Sequence, residues 1–190
     1  MFGTMSMLYG TLLHQDAPPR DTNFAPAFVL PKSTIRVIHS TLTLLNTVAN
    51  LELKLFQDIL GAEGISLQLR HIATYLLWYC SSDDLSSENQ QLLHLVIQLV
   101  GYFAVKNHDN QLILQSGFTP TVLRQLCSLP FSYFCQPELT LILFPTLLAC
   151  CYGNQETRKI LDQELSYEML EEFARSPAAQ SSLLMKIINS

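Results

Sequence analysis

The sequence predicts an all-α protein built as an armadillo- or HEAT-like α-solenoid of stacked short helices. Three observations carry that prediction. No segment sustains the apolar–polar alternation of a strand. Apolar residues recur instead at spacings of three and four, in runs bounded by Pro, Gly, Ser, Thr and Asn. The stretch from Asn107 to Leu123 also has an echo 47 residues on, from Asn154 to Leu170. In that register Asn107 meets Asn154, Ile113 and Leu114 meet Ile160 and Leu161, Thr119 meets Ser166, and Val122 and Leu123 meet Met169 and Leu170. A helical period of about 40–47 residues is the signature of armadillo and HEAT stacks. Such stacks are usually binding surfaces rather than reaction vessels.

Each element has its own local reason. Met5 to Leu13 is apolar enough to be the end of a helix, so residues 1–13 read as the remnant of an upstream one. Residues 14–32 read as a linker, because Pro18 and Pro19 have no amide hydrogen and stop any helix. From Ser33, the residues Ile35, Ile38, Leu42, Leu45 and Val48 recur at helical spacing. The helix continues to Leu60, with Gly61 and Gly64 as stop signals. A helix over 66–80 carries an apolar stripe of Leu69, Ile72, Ala73, Leu76 and Leu77, with a polar break from Ser81 to Asp84. Ser87 to Gln90 reads as a capping box with Ser87 as the cap. The helix behind it buries Leu92, Leu95, Val96, Leu99, Val100 and Phe103.

Asn107 caps a short helix over 109–115, which Gly117 stops. Thr119 caps the next, with Pro120 at the first helical position, where a missing amide hydrogen costs nothing. That helix ends near Pro130, and 131–136 reads as a loop. Pro137 opens a helix to Cys151 that is expected to kink at Pro145. Asn154 and Ser166 cap two shorter helices, 156–164 and 166–175, and Ser176-Pro177 starts a last, divergent one. The repeats therefore span 33–175, with residues 42–79 as a degenerate copy and 176–190 as a C-terminal helix outside the pattern.

Composition excludes several classes. The formal net charge of −5 and scattered Lys and Arg disfavour direct nucleic-acid binding. A direct RNA- or ribosome-contacting module would need Arg36, Lys54, Arg70 and Lys106 to cluster in space. No run of about 18 apolar residues exists to span a membrane; the best candidate, Leu139 to Cys151, is too short and holds Pro145. The N-terminus lacks a basic region followed by a clean apolar one, so no signal peptide is expected. Five cysteines, with no C-x-x-C pair, read as buried reduced thiols. No zinc-ligand spacing, no phosphate-binding glycine loop and no orienting base near a cysteine is present, so no catalytic residue, metal site, cofactor or small-molecule substrate is expected. The paired acids Asp83-Asp84 and Glu171-Glu172 read as solvated surface charge.

Ordered blocks along the chain carry a more specific resemblance. They are Gly61 to Ile65 with Leu69 to His71; Val100 to Phe103 with Asp109 to Gln111; Gln115 to Gly117 with Pro120 to Leu123; and Leu126-Cys127 with Leu129 to Phe131. Leu143 to Pro145, Ala149-Cys150 with Tyr152, and Ile160-Leu161 with Gln163-Glu164 follow. Over roughly residues 5–175 the chain resembles the C-terminal region of the family of S-phase cyclin A-associated proteins of the endoplasmic reticulum. The resemblance implies a helical adaptor, cytoplasmic and peripheral to the endoplasmic reticulum, with the nucleus as an alternative location. It implies protein partners: cyclin A complexes, a ribosome-bound tubulin recognition factor and a deadenylase complex, the last two in tubulin messenger RNA decay. The family's zinc finger and cyclin-binding elements are expected upstream, so no zinc ligand is carried onto this chain.

One group of residues invites a functional reading. His71, Tyr75 and Trp78 share a helix face at spacings of three and four. They are either packing between repeats or an exposed ridge for a partner. Armadillo-type third helices line a concave face, so Gln91, His94 and Gln98 would continue the ridge by that analogy. An apolar edge at residues 5–13 would promote concentration-dependent self-association.

Overall fold

The computed structural model describes residues 2–13, 30–81 and 87–190. Most of the expected linker and the paired acids Asp83-Asp84 lie outside the described residues. Twelve α-helices and one 3-10 turn make up the described chain, and it contains no strand. They are α1 (Phe2–Leu13), α2 (Lys32–Leu51), α3 (Leu53–Gly61), α4 (Ile65–Cys80), α5 (Ser87–Ala104), α6 (His108–Gln115), α7 (Val122–Cys127), α8 (Ser132–Cys135), α9 (Pro137–Cys151), α10 (Gln155–Glu164), α11 (Tyr167–Arg175) and α12 (Leu183–Asn189).

The long helices α2, α5 and α9 pack in order, with α5 between the other two. A second row runs α1, α4, α7. Burial follows position. From Leu99 to Ala104 and from Leu143 to Cys151, α5 and α9 are buried on every side, as a helix flanked on both sides must be. In α2 only one face is covered; Val37, Leu44 and Leu51, seven residues apart, stay exposed.

The joints between units repeat. Lys106 (φ 53°) and Gly153 (φ 70°), 47 residues apart, both take the left-handed conformation that ends a helix. The next residues, Asn107 and Asn154, then each accept a hydrogen bond from the backbone amide three residues on, Asn110 and Thr157, at 3.1 Å. These side chains satisfy amides that a helix start leaves free.

Buried amides pin neighbouring helices together. Gln57 of α3 donates from Nε2 to the carbonyls of Tyr102 and Val105, both at 2.8 Å. Gln111 of α6 donates to those of Ala149 and Tyr152, both at 3.0 Å. The accepting pairs are again 47 residues apart, so the same C-terminal carbonyls of α5 and α9 are capped in each unit. Asn46 of α2 bridges to the Leu95 carbonyl of α5, and Thr146 of α9 to that of Ile97.

Several boundaries differ from the expectation. Thr121 rather than Thr119 caps α7, accepting from Arg124 N at 3.4 Å. Starting the helix there puts Val122 and Leu123 in the core and Arg124 outside. Ser87 is the first residue of α5, and residues 82–86 ahead of it lie outside the described residues. Ser166 holds the cap position of α11, but its side chain makes no capping bond. The α2 helix breaks at Glu52 (φ −144°, ψ 73°), and the expected loop 131–136 contains the single turn α8. Pro145 lies within α9, which runs on to Cys151. After α11 the chain makes a 3-10 turn (Pro177–Ser181), and Ser182, not Ser176, caps α12.

The left-handed Lys106 yields a test. That conformation costs a side-chain-bearing residue roughly 1–2 kcal/mol, and Gly153 shows what the joint accepts without that cost. Lys106→Gly gives back part of the gain through unfolded-chain entropy and the loss of the ammonium 5.7 Å over the Tyr152 ring. The expected net is about 0.5 kcal/mol of added stability, seen as a melting temperature about 1–2 °C higher. A lower melting temperature would show that the lysine's contacts outweigh the strain.

Candidate partner-binding surface

The six residues of the expected ridge separate into two groups. Tyr75 and Trp78 are buried, at 1% and 7% exposure, and are no part of a surface. The Tyr75 ring meets Trp78 edge-on at 5.7 Å between centroids and stacks on Tyr79 at 6.1 Å. The reason is that α4 is covered from several sides, by α1, α5 and α7, so the face that looked separate from the apolar stripe is core as well. His71 is half-buried under Tyr9 of α1, ring edge to ring face at 5.3 Å.

Gln91 and Gln98 are exposed, with His94 half-buried between them, all on one side of α5. His94 Nε2 hydrogen-bonds the Tyr133 hydroxyl of α8 at 3.0 Å, which holds the ring down. Gln91 lines a cleft of about 310 Å³ between α2 and α5, with Arg36, His39 and Glu88. Gln98 lines a second, of about 280 Å³, between α5, α9 and the C-terminal segment, with Tyr102, Pro145 and Leu184. Two of the six residues therefore line clefts on the row of long helices. Sequence reasoning missed Gly101, one turn beyond Gln98, where α5, α9 and α12 meet: a Cβ there would stand 2.5 Å from Leu184 Cδ1 and 2.6 Å from Thr146 Oγ1. A glycine inside an otherwise apolar helix was the available signal.

The chemistry of the described residues is that of a packed protein. Burial pushes the thiols of Cys80 and Cys127 up to about 12 and that of Cys151 up to about 11. All three are protonated at neutral pH, and a protonated thiol is a poor nucleophile. Among the described residues no three His, Cys, Asp or Glu side chains come together as a metal site. No described helix is long and apolar enough to cross a membrane. Glu171 is half-buried between Arg158 (2.8 Å) and Arg175 (3.2 Å) on α10 and α11.

The four cations that an RNA surface would need lie on different elements, and three of them have partners of their own. Arg36 is on α2, and Lys54 on α3 pairs with Asp58. Arg70 on α4 donates to Ser116 Oγ at 2.7 Å, and Lys106 sits at the α5–α6 joint over Tyr152.

The two half-buried histidines make stability depend on pH. Burial holds both below the ordinary value of 6.5, and the Arg70 guanidinium adds to the effect at His71. The unfolded chain is then the easier one to protonate. Their contribution is complete above about pH 6.5 and is lost as pH falls through that value toward the lower folded ones. The urea midpoint is expected to drop between pH 7.5 and 5.5, and the drop to shrink in His94→Gln. An identical drop in wild type and variant would count against it.

Comparison with known proteins places the chain. No protein-family model matches it. Over 181 residues, 93% of its length, the chain is 45% identical to the S phase cyclin A-associated protein in the endoplasmic reticulum of Homo sapiens. It spans 12% of that protein. The resemblance read from the ordered blocks is thus shown over nearly the whole chain, and the short span is consistent with a C-terminal region.

Proposed function

Because the chain is related to a segment of the S phase cyclin A-associated protein in the endoplasmic reticulum, we propose that it is a non-catalytic protein-interaction scaffold, the C-terminal piece of an adaptor peripheral to that organelle. Its architecture on this reading is an armadillo-like solenoid over 33–175. The observation that carries the reading is the repeated joint: the left-handed residue, the asparagine cap and the capped carbonyl pair all recur at 47 residues. A stack built from one joint presents one continuous face of long helices, and a face with clefts suits partners rather than chemistry. On this reading α1 closes a preceding unit, since it packs on α4 as α4 packs on α7. The partners are proteins: cyclin A complexes, by the relative's name, and the tubulin recognition factor and deadenylase complex of tubulin messenger RNA decay. Direct contact with RNA or the ribosome is the competing reading, and the net charge of −5 weighs against it.

The test presents each of the three purified partners to the immobilised chain. Capture of at least one is expected, weakened about tenfold or more by Gln91→Arg with Gln98→Arg, both exposed. Capture of none, with the fold intact by circular dichroism, overturns the scaffold reading. Binding to RNA that falls steeply with salt would install the alternative.

A further inference from the structure

Helix α2 stands at the end of the row of long helices, and its outer side is patterned as a seam. Ser33, Val37, Ser40, Leu44, Thr47 and Leu51 follow one another at spacings of four and three, and all six are exposed. That spacing is the one along which two helices of a coiled coil meet. Val37, Leu44 and Leu51 alternate along it with the small hydroxyl residues Ser33, Ser40 and Thr47. The apolar residues that hold α2 to the rest of the chain are a different set. Ile35, Leu42 and Ala49 lie on the opposite face, with Ile38 and Leu45 beside them, and all five are buried. The seam is therefore surplus to the needs of the fold.

Its charge pattern sets the seam apart from a solvated surface. No Asp, Glu, Lys or Arg occurs from Val37 to Leu51. On α10, five of ten residues are charged, and all five are exposed. Charged residues are depleted where a surface is covered by another protein. The charges of α2 stand at its two ends, Lys32 and Arg36 near the start and Glu52 just past the last residue. Arg36 and Glu52 form no ion pair with any described residue. Helix α1 offers no comparable stripe. Met5, Leu8 and Leu12 are fully buried, so the association edge expected at residues 5–13 lies within the fold, apart from Met7 and Leu13.

The seam fits its own reverse. With a second α2 laid antiparallel and Leu44 of each copy over Ser40 of the other, Val37 faces Thr47 and Leu51 faces Ser33. Every layer then pairs a branched side chain with a small one, the alternation that lets two helices interdigitate. The same register brings Lys32 and Arg36 of each copy to the Glu52 end of the other, opposite charges at both ends. A parallel pair in register would set Arg36 against Arg36 and serine against serine. An interface between identical copies related by a two-fold axis has to be self-complementary in this way. We propose that the chain dimerises with a second copy of itself through the outer face of α2, antiparallel, with Leu44 seated over Ser40 of the other copy. Two helices of about 30 Å make a small interface, so the dimer exchanges with monomer as concentration changes. On the scaffold reading the dimer carries two copies of each cleft, which makes it bivalent; the proposal itself does not need that reading.

Sedimentation equilibrium of the full chain, across about a hundredfold range of concentration, tests it. The mean mass is expected to rise from 21.5 kDa towards twice that value. Leu44→Arg, at a position 49% exposed, is expected to keep the circular dichroism of wild type and to weaken association about tenfold or more, because a charge is buried in the seam. Val37→Glu and Thr47→Lys are each expected to associate weakly alone and to recover when mixed, since the antiparallel register sets residue 37 of one copy against residue 47 of the other. A wild-type chain that is monomeric at every concentration overturns the proposal. So does association that Leu44→Arg leaves unchanged, which would put the interface elsewhere, or a mixture that recovers nothing, which would exclude this register. Mass is read on the chain alone and partner capture with added proteins, so this proposal and the scaffold reading fail separately.

Discussion

Gln111→Met is expected to cost about 2–4 kcal/mol of stability, far more than a glutamine of a helical protein ordinarily contributes. Gln111 is 1% exposed, and its Nε2 donates to the carbonyls of Ala149 and Tyr152 at 3.0 Å, with a third, Ala104, at 3.4 Å. Those carbonyls end α5 and α9 and have no partner within their own helices. Methionine keeps the shape and volume but donates nothing, and it also removes the buried Gln111 Oε1, which has no partner, so part of the loss is offset. A buried acceptor left unpaired costs about 1–3 kcal/mol, and at least two are orphaned here. Gln57→Met orphans the equivalent pair on α5, Tyr102 and Val105, and is expected to cost a similar amount. The control is Gln163→Met on exposed α10, expected within about 0.5 kcal/mol of wild type. Urea denaturation of the three variants decides it. If Gln111→Met matched Gln163→Met, the amide pins would be decoration on a fold held by apolar contact alone.

These pins explain what was legible in the sequence and what was not. The asparagine joints could be read because a cap is local: its acceptor and donor lie three residues apart. The pins could not, because each donor bonds carbonyls 38–48 residues away. Their donors are also out of register with the period: Gln57 and Gln111 are 54 residues apart, while their acceptors are 47 apart. Local ambiguity accounts for Thr119, since Thr119-Pro120-Thr121 offers two caps two residues apart and only the packing of Val122 and Leu123 chooses. The single turn α8 is too short for any periodicity to reveal. The clefts at Gln91 and Gln98 follow from which helices become neighbours, which the period suggests but a helical wheel does not contain.

Trp78 is where the difference between surface and core has the largest experimental consequence. On a helical wheel it pairs with His71 and Tyr75 as a candidate anchor, and an alanine substitution would read as lost binding. In the structure it is 7% exposed, on a helix flanked by α1, α5 and α7, with its ring edge-on to Tyr75 at 5.7 Å. Removing it deletes the largest side chain of α4 from the interior. Such truncations cost about 3–5 kcal/mol, transfer and cavity terms together. A fold of this size is stable by only about 5–15 kcal/mol, so Trp78→Ala is expected to lower the melting temperature by roughly 10 °C or more. Any partner captured by wild type and lost in this variant would report damaged packing, and the loss would say nothing about a ridge. Trp78→Phe separates the two: it keeps most of the buried area and is expected to recover more than half of the lost stability. If Trp78→Ala instead melted like wild type, α4 would have to expose this face, and the ridge through His71, Tyr75 and Trp78 would return as the binding surface.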